Sequence, residues 1–127
     1  MENFQTGSNL PITDSQVIEA VSLSDQGSMA DTGRDPQAAP NTSWFATWRG
    51  NGVIRLRINC PIIHANSRVH ISISEFSNTN NAAGSRFIGS ARYAIYNIAP
   101  TEGAVNIWAD VTWGSPINIY FSLLIEN

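Results

Sequence analysis

At 127 residues the chain is the size of one domain, and its single cysteine, Cys60, excludes an intramolecular disulfide framework. Only 13% of residues are charged, and all seven bases are arginine, which excludes a Schiff-base or phosphate-cradling lysine. The formal charge of −3 is unevenly spread: residues 1–40 hold six carboxylates against Arg34 (−5), and residues 41–127 hold six arginines against four carboxylates (+2).

This split divides the chain into an acidic N-terminal arm, residues 1–40, and a body, residues 41–127. Within the arm, Thr13 and Gln16 fit a capping box, and Ile12 and Val17 occupy the positions of a hydrophobic staple. A short helix over Asp14–Ser24, stopped by Gly27, is the expectation; a strand through Val17–Leu23 competes with it, because Val and Ile are frequent there. From Gly27 to Pro40 the run of Gly, Ser, Asp and Pro reads as extended linker. The apolar residues Phe4, Ile12, Val17, Ile18, Val21 and Leu23 are those by which the arm would dock, on its own body or on a neighbour's.

From Ser43 onward, apolar and polar residues alternate with period two. Ser43–Arg49 and Val53–Cys60 flank Gly50-Asn51-Gly52 and are expected to form a hairpin. Cys60 continues the inward stripe Ile54, Leu56, Ile58 and reads as a buried structural thiol. Arg68–Phe76 sets Val69, Ile71 and Ile73 against His70, Ser72 and Ser74. Ser77–Ser85 reads as a loop, and Arg86–Ile98 as one long strand bent near Gly89. Ala104–Trp113 and Ile117–Ile125 complete the series, the latter with the core stripe Ile117, Ile119, Phe121, Leu123 and Ile125. The fold class expected is all-β: an antiparallel β-sandwich, jelly-roll or immunoglobulin-like, of about six to eight strands. Small-barrel topologies fit the same pattern.

Motifs for chemistry are absent. No Gly-x-Ser-x-Gly elbow or glycine-rich phosphate loop occurs, and neither His64 nor His70 has a carboxylate or thiol at metal-ligand spacing. The expectation is a non-enzymatic protein with no cofactor, no metal and no catalytic residues. The outward strand faces carry Arg55, Arg57, His70, Asn106, Trp108, Asp110, Asn118 and Tyr120, a mixture typical of surfaces that bind something.

Two functions suit this pattern. One is a structural assembly protein, such as a small decoration, cement or minor structural protein of a phage or virus particle, self-associating through its arm and touching other particle proteins. The other is a carbohydrate-binding module or lectin that uses Trp108, Tyr120 and Trp113 against sugar faces. Nucleic acid is disfavoured by the acidic arm. No secretion signal opens the sequence and no apolar run reaches the length of a membrane span. Synthesis in a cytosol, without membrane association, and a final place on a virion or extracellular particle are therefore expected.

Overall fold

The computed structural model describes residues 16–23 and 42–127. Among them, nine strands build two packed sheets: β1 (Gln16–Glu19), β2 (Val21–Ser22), β3 (Ser43–Gly50), β4 (Gly52–Asn59), β5 (Arg68–Phe76), β6 (Arg86–Phe87), β7 (Arg92–Thr101), β8 (Ala104–Thr112) and β9 (Ile117–Glu126). The four-stranded sheet has the order β1-β4-β8-β7 and the five-stranded sheet β2-β3-β9-β5-β6. The all-β sandwich read from the alternation is the fold observed. Its core lies between the sheets, where Leu56, Ile58, Val105, Ile107, Ala109, Val111, Ile119, Phe121, Leu123 and Ile125 are buried. Removing each of the larger of these side chains from water contributes about 1.5–3 kcal/mol.

Gly50-Asn51-Gly52 does not close a hairpin. β3 pairs with β9, from Ser43 opposite Leu124 to Gly50 opposite Ile117, while β4 pairs with β8, from Gly52 opposite Val111 to Asn59 opposite Ala104. The chain therefore turns a corner from one sheet into the other, and β8–β9 turns the same corner beside it. The reason is burial. Both β3 and β4 carry an inward apolar stripe (Trp44, Ala46 and Trp48; Ile54, Leu56 and Ile58), and facing sheets bury both stripes at once. The corner needs its glycines: Gly52 has φ of 87°, and a Cβ on Gly50 would overlap the Trp48 ring. Asn51 Nδ2 donates to the Trp113 carbonyl at 2.9 Å and joins the two corners. The β3–β9 and β4–β8 pairs are thus one antiparallel ribbon folded across the two sheets of the sandwich.

The long strand expected over Arg86–Ile98 is divided. β6 extends the five-stranded sheet beside Glu75 and Phe76, and β7 is the edge of the four-stranded sheet. Between them Gly89 passes so close to Glu75 that a Cβ would strike its carboxylate. The segment 77–85 contains two 3-10 turns, Thr79–Asn81 and Ala83–Ser85, with Asn78 Oδ1 accepting from the Asn80 amide.

Over residues 16–22 the arm forms the competing strand and not the expected helix. β1 runs parallel to β4, with Gln16 opposite Leu56 and Glu19 opposite Asn59, and β2 runs antiparallel to β3, with Val21 opposite Phe45. At Ala20, whose amide donates to the Asn59 carbonyl at 2.8 Å, the segment steps from one sheet to the other. Two unpaired sheet edges offered backbone hydrogen bonds, and β-branched Val17, Ile18 and Val21 fit a pleated surface; together these outweigh a helix cap. Ile18 and Ala20 pack on the core, and Gln16 Oε1 accepts from Trp48 Nε1 at 2.9 Å. Residues 16–22, assigned to the arm by charge, are thus sandwich strands docked on their own chain. The docking residues Phe4 and Ile12, and Thr13 of the capping box, lie outside the described residues.

Candidate functional site

The eight outward residues expected to share a surface are divided between opposite faces. His70, Asn118 and Tyr120 belong to the five-stranded sheet; Arg55, Arg57, Asn106, Trp108 and Asp110 belong to the four-stranded one.

On the five-stranded sheet, Tyr120 faces away from the core but is not accessible. It is 1% exposed, stacked on Phe45 with ring centroids 5.1 Å apart and planes within 5°. The Arg86 guanidinium stands 4.8 Å from its ring centroid, and Phe76, Leu23, Ala82 and Ala83 complete a second apolar cluster. The 77–85 segment is thus a cover over this face, and burial raises the Tyr120 pKa, with Arg86 opposing in part. The expectation that Tyr120 presents a ligand-binding ring is overturned by this cover. His70 Nε2 lies 3.4 Å from Glu126 Oε1, and Asn118 Oδ1 accepts from Arg49 at 3.1 Å; both are committed to neighbours on the sheet.

The four-stranded sheet keeps its outer face open. Register sets Arg55 opposite Trp108 and Arg57 opposite Asn106, and on the other side Asn97 opposite Trp108 and Ala99 opposite Asn106. The Arg55 guanidinium sits 5.0 Å from the Trp108 ring centroid, a cation–π contact. Tyr96 lies 5.0 Å from the same ring, tilted by 56°. Asp110 accepts from Thr112 Oγ1 at 3.2 Å and from the Tyr96 hydroxyl at 3.5 Å. Beside Trp108 is a shallow depression of about 270 Å³, bounded by Arg55, Asn97, Ala99, Asn106 and Trp108.

Tyr96 and Asn97 escaped the sequence reading because β7 carries a bulge between Ile95 and Asn97. The extra residue turns Tyr96 and Asn97 both outward. A signal existed: the inward residues Ile95 and Ile98 are three apart, and no regular strand holds that spacing on one face.

No three His, Cys, Asp or Glu side chains gather to hold a metal ion among the described residues, and none of their helices is long and apolar enough to cross a membrane. Cys60 is fully buried, and desolvation raises its thiol pKa despite a hydrogen bond with the Ile62 backbone, which disfavours the thiolate. No protein-family model, curated protein or solved structure matches the chain.

Proposed function

We propose that the chain is a non-enzymatic structural protein, a self-associating subunit of a larger assembly, and that this assembly is a phage or virus particle which it decorates or cements. The observation that carries the self-association is the inequality of the sandwich's two sides. One side is sealed by β1 and β2, which pair with both sheets. On the other side, among the described residues, β7 is an unpaired edge, and β5, paired with β9 along its inner side, has no strand on its outer side from Arg68 to Ser74.

That open side is apolar at its rim. Ile88 is fully exposed, Phe87 is nearly half exposed, and Ile98 faces the interior yet remains accessible. From Tyr93 to Thr101 no residue is charged, so the edge lacks the charges that guard many free edges and is interrupted instead by Pro100 and the bulge between Ile95 and Asn97. A small body gains from a further apolar contact, and a two-fold contact places the same patch on both subunits. The occupant proposed for the open side is therefore a second copy. Residues 16–23 dock on their own chain, so the self-association proposed for the described residues uses the open side. The particle assignment is an analogy of architecture: a small β body, an acidic arm and arginine-only basicity.

The test is sedimentation and light scattering of the full chain over a wide concentration range. A dimer or larger closed oligomer is expected, dissociated by the double substitution Phe87→Asp and Ile88→Asp with no change in far-UV circular dichroism. A monodisperse monomer at all concentrations would overturn self-association. Immunogold labelling of particles purified from the producing cells tests the particle assignment, and label absent from every particle would remove it.

A further inference from the structure

We infer that the depression beside Trp108 on the outer face of the four-stranded sheet binds one carboxylated sugar ring, a uronic- or sialic-acid unit of a longer glycan. The inference is independent of self-association, which concerns the sandwich's open side. At about 270 Å³ the depression is smaller than sites that enclose a drug-sized ligand, which span ~300–1,000 Å³. It suits a single ring held at the surface while the rest of its chain remains in solvent.

Three chemical features converge there. The Trp108 ring supplies an apolar wall of the kind that packs on the C–H face of a pyranose, and Ala99 keeps the neighbouring position low. Asn97 and Asn106, both exposed, make no side-chain hydrogen bond to the rest of the described chain, so each carboxamide offers a donor and an acceptor to ring hydroxyls. Arg55 has no carboxylate partner among the described residues; its contact is the Trp108 ring, which orients the guanidinium and leaves its N–H groups for an anion.

Charge placement favours an acidic sugar over a neutral one. Arg57 lies one outward position beyond Arg55, directly across from Asn106, and its Nε donates to Asn59 at 3.1 Å. Two carboxylates share this face: Asp110 lies on the other side of Trp108 and accepts from Thr112 and Tyr96, and Glu19 of β1 lies beyond Arg57, accepting from Asn59 Nδ2 at 2.7 Å. Neither carboxylate lines the depression; the charge in its lining is the Arg55 guanidinium, so its wall is cationic at Arg55. A nucleic-acid strand needs a longer cationic track than two arginines on a chain of net charge −3.

The test is calorimetric titration of the full chain with a uronic- or sialic-acid oligosaccharide, its neutral counterpart lacking the carboxylate, a single-stranded oligonucleotide and an acidic peptide. Saturable binding of the acidic oligosaccharide is expected, at least tenfold tighter than that of the neutral one. Arg55→Gln should weaken it about tenfold or more, in keeping with the loss of a charged hydrogen bond. Asn106→Asp, an exposed change that places a negative charge in the depression and removes an amide donor, should weaken the acidic sugar more than the neutral one. Trp108→Phe should abolish the tryptophan fluorescence response to sugar while keeping the fold, as judged by circular dichroism. Equal binding of both sugars, no saccharide binding at millimolar concentration, or preference for the oligonucleotide or peptide would each overturn the inference.

Discussion

Tyr120 shows how much one side chain's surroundings differ from its place in a pattern. Alternation correctly sets it on the outer side of β9, opposite Ile119 and Phe121, and an outward tyrosine reads as a binding residue. The 77–85 segment reverses that meaning by packing Ala82 and Ala83 on it, with Phe45 stacked on the ring. Its hydroxyl makes no hydrogen bond to the described residues, so stability should depend on the ring and not on the oxygen. Tyr120→Ala is expected to cost about 3–5 kcal/mol, as for other large aromatic truncations, and Tyr120→Phe less than about 0.5 kcal/mol. Urea unfolding of the two variants measures this; a large loss in the Phe variant would reveal a hydrogen bond to the hydroxyl. Trp108 has the opposite history: its outward assignment holds, and its neighbours Arg55 and Tyr96 leave it half-buried at the edge of an open depression.

At the scale of elements, the strands easiest to read are those with an uninterrupted period of two. β5, β8 and β9 end within about a residue of the expected bounds, because every second residue meets the core and the signal repeats along the strand. Elements defined by an exception are harder. The bulge of β7 and the break at Gly89 each alter the phase within one or two residues. The Gly50-Asn51-Gly52 turn is chemically a hairpin signal, and only the partners of β3 and β4 decide that it is a corner. That corner is a place to test the winding. Gly50→Ala forces the buried Trp48 ring to move, an overpacking expected to cost about 1–3 kcal/mol. Gly52→Ala strains a positive φ in open space and should cost about 1 kcal/mol. Thermal denaturation would show Gly50→Ala to be the more harmful; the reverse order would mean that the Trp48 contact yields readily.

At the scale of the whole molecule, one end of the sandwich gathers a group of long-range polar ties. The Cys60–Ser67 connection meets the β7–β8 turn, where the Cys60 amide donates to the Gly103 carbonyl and the Gly103 amide to the Ile63 carbonyl, at 2.9 and 2.8 Å. Glu102 accepts from the Ala65 amide and pairs with His64; Glu126 pairs with Arg68 and His70; Ser67 meets Asn127. Both carboxylates have pKa values below the ordinary 4.5, Glu102 chiefly through the Ala65 amide and then His64, Glu126 chiefly through Arg68 and then His70. A depressed native pKa contributes stability above the unfolded value, and that contribution is lost as pH falls through the native one. The acid side of the melting-temperature profile should therefore fall below pH 4.5, and Glu102→Gln with Glu126→Gln should flatten it while lowering the melting temperature near neutrality. A double variant with an unchanged profile would show that these exposed pairs are screened into insignificance.

The sequence by itself determined the class of the fold, the strands of regular alternation and the outward placement of Arg55, Arg57, Asn106, Trp108 and Asp110. Those properties follow from a period of two imposed by one buried face, and they are local. Tertiary structure alone decided which faces are shared and which are covered. It divided His70, Asn118 and Tyr120 from the Trp108 face, and it added Tyr96 and Asn97 through a bulge. It also drew residues 16–22 out of the arm into both sheets. Each of these depends on which strand pairs with which, and pairing satisfies backbone groups and buries side chains far apart in the chain, a balance that no local window contains.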